Sequence, residues 1–320
     1  QKTKLYRITI QLRENYHKMR NQIKLFSFFL LFGCFYFDAN AQVNKFFNSN
    51  NYTPLDNISK FPDGSSIARA ASSAKAIKDA YPNVTDGVYY INLPTIGVKP
   101  VYCLMNSKYD GGGWMMAMKT TRGTSPSFNS TTFNFDANYW YTANTLNPDD
   151  VTRNDADAKF DVMNYYPAQD IMALWPDIPN SSTESGSIDN LNNWSWLQNS
   201  FNGGTRTTLI NFFTQTPTAT TYQTKTGTNS NVGINFSGFS NTVFSTEWGF
   251  MFYGLNYTAN TGHKVRWGFS FNNEQDQISN DASSGIGLSN SYSSGDVYTF
   301  CCAGVTQGIN RSARVEMYIR

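Results

Sequence analysis

Apolar and polar positions alternate through "DGVYYINL" (86–93), directly after an Asp-Gly turn signal. A period of two over a short segment predicts a half-buried strand. "KPVYCLM" (99–105) and "WMMAMKT" (114–120) read as two further strands, and the three predict a meander. Upstream, in "SSIARAASSAKAIKDAYP", Ile67, Ala70, Ala71, Ala74 and Ile77 recur every three or four positions. That spacing predicts a helix with an apolar stripe, ending before Pro82. From 121 to about 245 the pattern loosens into loops pinned by Trp140, Trp175, Trp194 and Trp196. Within that stretch "PAQDIMALWPD" (167–177) predicts a short helix, and "TTLINFFTQ" (207–215) fits a helix or a strand. "TEWGFMFYGLN" (246–256) and "KVRWGFSFNNE" (264–274) read as aromatic strands, and "SARVEMYIR" (312–320) as a last alternating one. No internal repeat suggests a solenoid or propeller. The pattern predicts one α+β domain over 67–320. Its sheet is mixed, mostly antiparallel and twisted, with few short helices and long ordered loops.

Residues 42–66 carry no period and read as an N-terminal arm or linker. Ahead of them lies a basic start at Met19, Arg20 and Lys24, followed by an apolar run from Leu25 to Phe37 and then Ala39-Asn40-Ala41. This order predicts a signal peptide over 1–41, cleaved after Ala41, with 1–18 as an upstream extension. The run is shorter than a bilayer crossing needs. Cys34 followed by bulky Phe35-Tyr36-Phe37 does not suit lipidation.

Composition shifts once that segment is set aside. The whole chain of 320 residues has a formal net charge of +2. The first 41 residues hold Lys2, Lys4, Arg7, Arg13, Lys18, Arg20 and Lys24 against Glu14 and Asp38, so the remainder is net −3. The apparent basicity belongs to the segment, and nothing favours a nucleic-acid partner. Aromatics reach 16% while charged residues are only 15%. A large aromatic core under a polar, uncharged surface suits a secreted or cell-surface protein, with no membrane span after signal removal. Cys103, Cys301 and Cys302 then remain, in a compartment that permits disulfides. Cys103 bridged to Cys301 or Cys302 would close a loop of roughly 200 residues. A vicinal Cys301–Cys302 bridge, with Cys103 free, is the alternative.

Several chemistries are disfavoured. His263 is the one histidine after residue 41, which removes a multi-histidine zinc site and leaves little for a His-based triad. "DGGGW" lacks the Lys-Ser/Thr of a phosphate loop. Glu247, Glu274 and Asp296 could form acid pairs, but acids are common enough to pair by chance. The chain reads as a non-enzyme.

"AKAIKDAYPNVTDGVYYINL", "VYCLMNSKYDGGGWMMAM", "FSFNNE" and "SARVEMYIR" together resemble the fibrinogen-like domains, and within them the intelectin-like lectins. The resemblance is dense over 74–118 and resumes at 264–274 and the C-terminus. It implies that Gly111, Gly112 and Gly113 shape a tight turn and that Trp114 anchors the returning strand. Cys103 falls on the family's "YC" position, whose usual upstream partner is missing here. Ala74 and its neighbours stand there instead, which leaves Cys103 to the C-terminal cysteines or free.

The resemblance also implies a calcium ion that grips a sugar diol between aromatic walls. Asn273 falls on a family ligand position, with Asn272 and Glu274 beside it. The following "QDQISNDASSGIGLSNSYSSGD" adds Asp276, Asn280, Asp281 and Asp296 as oxygen donors but no histidine, so the ligand set departs from the intelectin one. Oxygen donors of this kind suit calcium. Trp267, Tyr292 and Tyr298 are the candidate walls. The implied partners are glycans or glycoconjugates on a cell or particle surface, and a homo-oligomer is compatible with this. The rival reading is a structural or adhesive component that uses the fold without a sugar site.

Overall fold

The alternation at 86–93 does build an edge strand. In the computed structural model β1 (Gly87–Leu93) pairs antiparallel with β2 (Gly97–Leu104) over its whole length, and β2 pairs with β3 (Trp114–Thr120). The structure describes residues 61–124, 129–176, 194–214, 220–225, 250–257, 263–272, 282–289, 292–298 and 311–320. Phe61–Arg320 form one compact unit. β4 (Ala158–Lys159), β5 (Ile171–Trp175) and β6 (Trp194–Gln198) extend the meander's sheet. β7 (Thr220–Lys225), β8 (Phe250–Tyr257), β9 (Val265–Asn272), β10 (Ala282–Leu288), β11 (Ser294–Tyr298) and β12 (Arg311–Ser312) make a second sheet. The C-terminal β13 (Val315–Ile319) returns to the first, inserted between β3 and β5.

The first sheet runs β1-β2-β3-β13-β5-β6, with β4 on β3, and the second β12-β11-β10-β9-β8-β7. Every strand pair described is antiparallel, and the one parallel pairing is the isolated bridge Ala71–Ile91. The expected mixed sheet is thus two antiparallel ones with a few short helices.

Two elements differ from the sequence reading. The stripe from Ile67 does not give one helix. Ile67–Arg69 is a single 3₁₀ turn, and α1 (Ala74–Ala80) starts afresh behind Ser73, whose hydroxyl accepts from the Ala76 N–H at 3.0 Å. Serine competes well for a helix N-cap. The residues between are drawn onto the edge of β1, where Ala71 exchanges hydrogen bonds with Tyr90 and Asn92. That edge is also covered by Gly64, whose carbonyl accepts from the Tyr90 N–H, so 61–66 are docked rather than free. The second difference is 167–177, where β5 stands in place of a helix. Its five residues, Ile-Met-Ala-Leu-Trp, are all buried. A short unbroken apolar run fits either state, and here the two neighbouring strands decide it.

Of two further helices, α2 (Asp161–Tyr165) packs on β3 and β1 of the first sheet, and α3 (Leu209–Phe212) packs on α2. Of the aromatic pins, Trp140, Trp175 and Trp196 lie in the core. Trp175 and Trp196 meet at 4.9 Å between ring centres, and Trp140 lies edge-on to Phe213 at 5.1 Å.

A row of glycines crosses the second sheet. Gly254, Gly268, Gly285 and Gly295 stand in register on β8, β9, β10 and β11. A Cβ on Gly268 would lie 2.2 Å from the Ser284 carbonyl oxygen, and one on Gly285 would lie 2.3 Å from that of Trp267. No side chain fits there. Glycine in a strand interior marks a sharp bend or a close backbone approach. On a straight hairpin with Val265 opposite Leu288, His263 and Ser283 would lie about seven positions apart, roughly 23 Å at 3.3 Å per residue. Instead His263 Nδ1 is 3.4 Å from Ser283 Oγ. Val297, opposite Ser283, packs with Tyr257, Val265, Leu288 and Tyr292 from the far end of the strands. The sheet therefore folds back along the glycine row and closes over a small apolar core of its own.

Candidate functional site

The turn in "YDGGGWM" is fixed by close backbone contacts. Gly111, Gly112 and Gly113 all have φ near +80°. That region costs a side-chain-bearing residue strain and costs glycine none. A Cβ on Gly112 would come 2.4 Å from the Met105 carbonyl oxygen, and one on Gly113 would come 2.8 Å from Lys75 Cα in α1. Trp114 is fully buried, with Nε1 donating to the Tyr109 carbonyl at 2.7 Å. Arg320 seals the turn. Its guanidinium lies 4.1 Å from the Trp114 ring centre and donates to the Asp110 carbonyl and, at 3.0 Å, to Asp170 Oδ2. These residues join α1, the meander and the C-terminus, and leave no cradle for a phosphate.

Among the described residues Cys103 is a free thiol. The β2 register turns it into the core, where it is fully buried and Sγ donates weakly to the Val101 carbonyl at 3.4 Å. Burial, with a smaller push from Asp86, raises its pKa far above that of an ordinary thiol, so it is inert as a nucleophile. Cys301 and Cys302 lie outside the described residues.

Of the expected calcium ligands, Asn273, Glu274, Asp276 and Asp281 lie outside the described residues, as does Asn280. The strands around them are described. Asn272 is the last residue of β9 and is buried. Phe271 pairs with Ala282, and Ala282 in turn with Tyr298. Residues 273–281 therefore connect β9 to β10 at the end of the sheet where β11 finishes. Asp296 pairs with Ser284 across from β10, two positions before Tyr298. Of that set, the described backbone places Asn272 at the end of β9 and Asp296 on β11 opposite Ser284, next to Gly295.

The expected walls divide. Trp267 is a correction. It is fully buried beside the glycine row, with Nε1 donating to Tyr253 Oη at 2.7 Å and its ring edge-on to Trp196 at 5.8 Å. It is core and cannot face a ligand. Tyr292 starts at the far end of the hairpin, but the fold-back seats it, half-buried, in the cluster with Val297. Tyr298 has its backbone at the 273–281 end. His263 is buried rather than looped out, and burial pushes its pKa down to about 4.

Sequence reading missed an oxygen cage elsewhere. Lys119 on β3 is fully buried, and its Nζ donates to Asp150 Oδ2 and the Thr152 carbonyl, both at 2.9 Å, and to Asn154 Oδ1. "DVTRN" supplies alternate oxygens of the kind a cation takes, and a lysine ammonium fills the place. Burial raises the Asp150 carboxyl pKa, but hydrogen bonds from Lys119, Thr152 and Asn154 outweigh it and hold the pKa down at about 2. Next to it on β13, the buried Glu316 takes Arg153 and Arg314 at 2.7 Å each and Tyr318 Oη at 2.8 Å. The cage is invisible to spacing because Lys119 meets residues 31 to 35 positions away. Among the described residues no group of three His, Cys, Asp or Glu is gathered as a metal site.

No family model and no curated protein matches the sequence. Among solved structures, the chain is similar to the fibrinogen-like globe domain of human ANGPTL2, at 13% identity. The match covers 78% of this chain and 98% of that one, with a TM-score of 0.30.

Proposed function

We propose that the chain is a secreted recognition module of fibrinogen-like type. In this reading it binds glycans through a calcium ion held at the 272–281 end of the six-stranded sheet. The observation that supports the reading is that β9 ends at Asn272 and the paired β10 starts at Ala282, so the oxygen-rich sequence 273–281 joins two neighbouring strands. The donors are carboxylate and amide oxygens, the hard ligands calcium prefers. Calcium, when bound, would supply two open positions for adjacent sugar hydroxyls. The chain's own part is to hold the oxygens and to offer Tyr298 and Tyr292 as aromatic flanks. Trp267 has no part in it. The work is binding rather than catalysis.

A glycan array probed with the exported protein tests this. Binding in calcium that disappears in chelator, and in Asn273→Ala and Glu274→Gln, is the expected result. A protein that ignores chelator in both binding and melting temperature would overturn it and leave the structural or adhesive reading.

A further inference from the structure

We infer that a cleft beside β2, remote in sequence from the 272–298 region, is a binding site for a small primary amine with a compact apolar body. The cleft has a volume of ≈ 210 Å³ and opens between the meander, the 145–151 loop and the start of α2. Its floor is Leu93, Val101, Met116, Phe160 and Val162, all buried. Its rim is charged. Lys99 Nζ lies 3.2 Å from Asp161 Oδ2, so those two charges cancel. Asp149 stands exposed on the same rim and makes no hydrogen bond or ion pair with any described residue. The rim is left with one uncompensated negative charge.

This layout selects a ligand by orientation. An apolar floor rewards removal of apolar surface from water and penalises any polar group left unpaired there. The charge-seeking end must therefore stay at the mouth, beside Asp149, while the body goes in. A branched aliphatic or small aromatic monoamine meets both demands. A diamine would carry its second charge onto Met116 and Phe160, and a sugar would leave hydroxyls without partners on the same floor. The same chemistry is offered by a free monoamine or by a chain N-terminus whose first residue is Leu.

Titration calorimetry of the full chain, in chelator so that calcium plays no part, tests the site. The probes are isoamylamine, isoamyl alcohol, cadaverine, and Leu-Gly-amide with its amine free or acetylated. Isoamylamine should bind about fivefold more tightly than the alcohol, the factor that about 1 kcal/mol of exposed ion pairing gives. Cadaverine should be weaker than isoamylamine. Asp149→Asn should erase the preference for amine over alcohol. Lys99→Met should tighten amine binding, because it frees Asp161, and a gain of affinity cannot come from damage to the fold. Tighter binding of free Leu-Gly-amide than of isoamylamine assigns the site to a chain terminus, and the reverse assigns it to free amines. Equal affinity for amine and alcohol, an unchanged preference in Asp149→Asn, or saturable binding of none of the probes overturns the proposal. None of these results touches the glycan reading.

Discussion

The two sheets solve the burial problem in opposite ways. The central strands of the first sheet, β3, β5 and β13, are buried along their whole length, and large side chains such as Trp114, Trp175 and Tyr318 fill both faces. Charged groups there are tolerated only when fully partnered, as Lys119 and Glu316 are. The second sheet closes through side chains that are missing. Its glycine row lets backbones approach and fold over, and serines (Ser270, Ser283, Ser284, Ser294 and Ser312) take many of the buried places around it. One sheet is specified by volume and the other by the absence of volume. The largest effects should therefore come from adding atoms to the second and removing them from the first.

The sharpest way to break the comparison is Gly268→Val. Its Cβ would fall 2.2 Å from a carbonyl oxygen on the neighbouring strand, with no flexible side chain to move aside. Overpacking and backbone strain together should cost about 4 kcal/mol or more, read as a lower urea midpoint. A midpoint within error of wild type would mean that the row is not a corner.

Next in size is the opposite operation in the first sheet. Trp114→Ala removes a fully buried ring from the junction of α1, the meander and Arg320. It should cost about 3–5 kcal/mol. If Gly268→Val proved the milder of the two, volume would govern both sheets and the contrast would fail.

Lys119→Met sharpens the claim about partnered charge. The substitution keeps the stem and removes the ammonium from its cage. Loss of charge-assisted hydrogen bonds should cost about 1.5–3 kcal/mol at pH 7. The pH dependence identifies the cause. Asp150 has a folded pKa of about 2 against an unfolded value near 3.8. Its contribution is present above the unfolded value and is lost as pH falls toward 2. The difference between Lys119→Met and wild type should therefore shrink between pH 5 and pH 2. A gap that stays constant over that range would assign the loss to packing alone.

The two sheets were also unequally legible in the sequence. The meander could be read because alternation at 86–93 and the Asp-Gly and Gly-Gly-Gly signals are local. The "FNNE" strand end could be read because aromatic runs bounded by polar residues mark strands. β5 could not, since five apolar residues carry no period long enough to separate strand from helix. The glycine row could not either. Gly254, Gly268, Gly285 and Gly295 are irregularly spaced in the chain and become neighbours only through register. Trp267 was misassigned for the same reason. Its closeness in sequence to Asn272 suggested a wall, but the bend turns that part of β9 into the main core. Cys103 is turned into the core by β2, and its expected partners Cys301 and Cys302 lie outside the described residues.

The smallest expected effect concerns the contact that spans the corner. His263 reaches Ser283 only because the second sheet folds back, and burial there pushes the imidazole pKa down to about 4 from 6.5. A lowered pKa means that the folded chain binds fewer protons than the unfolded one between those values. Stability then rises with pH across that window. The neutral ring's contribution is whole above pH 6.5 and is lost as pH falls toward 4. At pH 6 the loss should be only about 1 kcal/mol, growing as the pH drops further. His263→Gln keeps a hydrogen-bonding side chain but does not titrate, so its stability should be flatter between pH 6.5 and 4 than that of wild type. Urea midpoints at half-unit steps would show this. Parallel pH profiles for the two proteins would mean that His263 is solvated in the folded chain, and that the second sheet does not close over it.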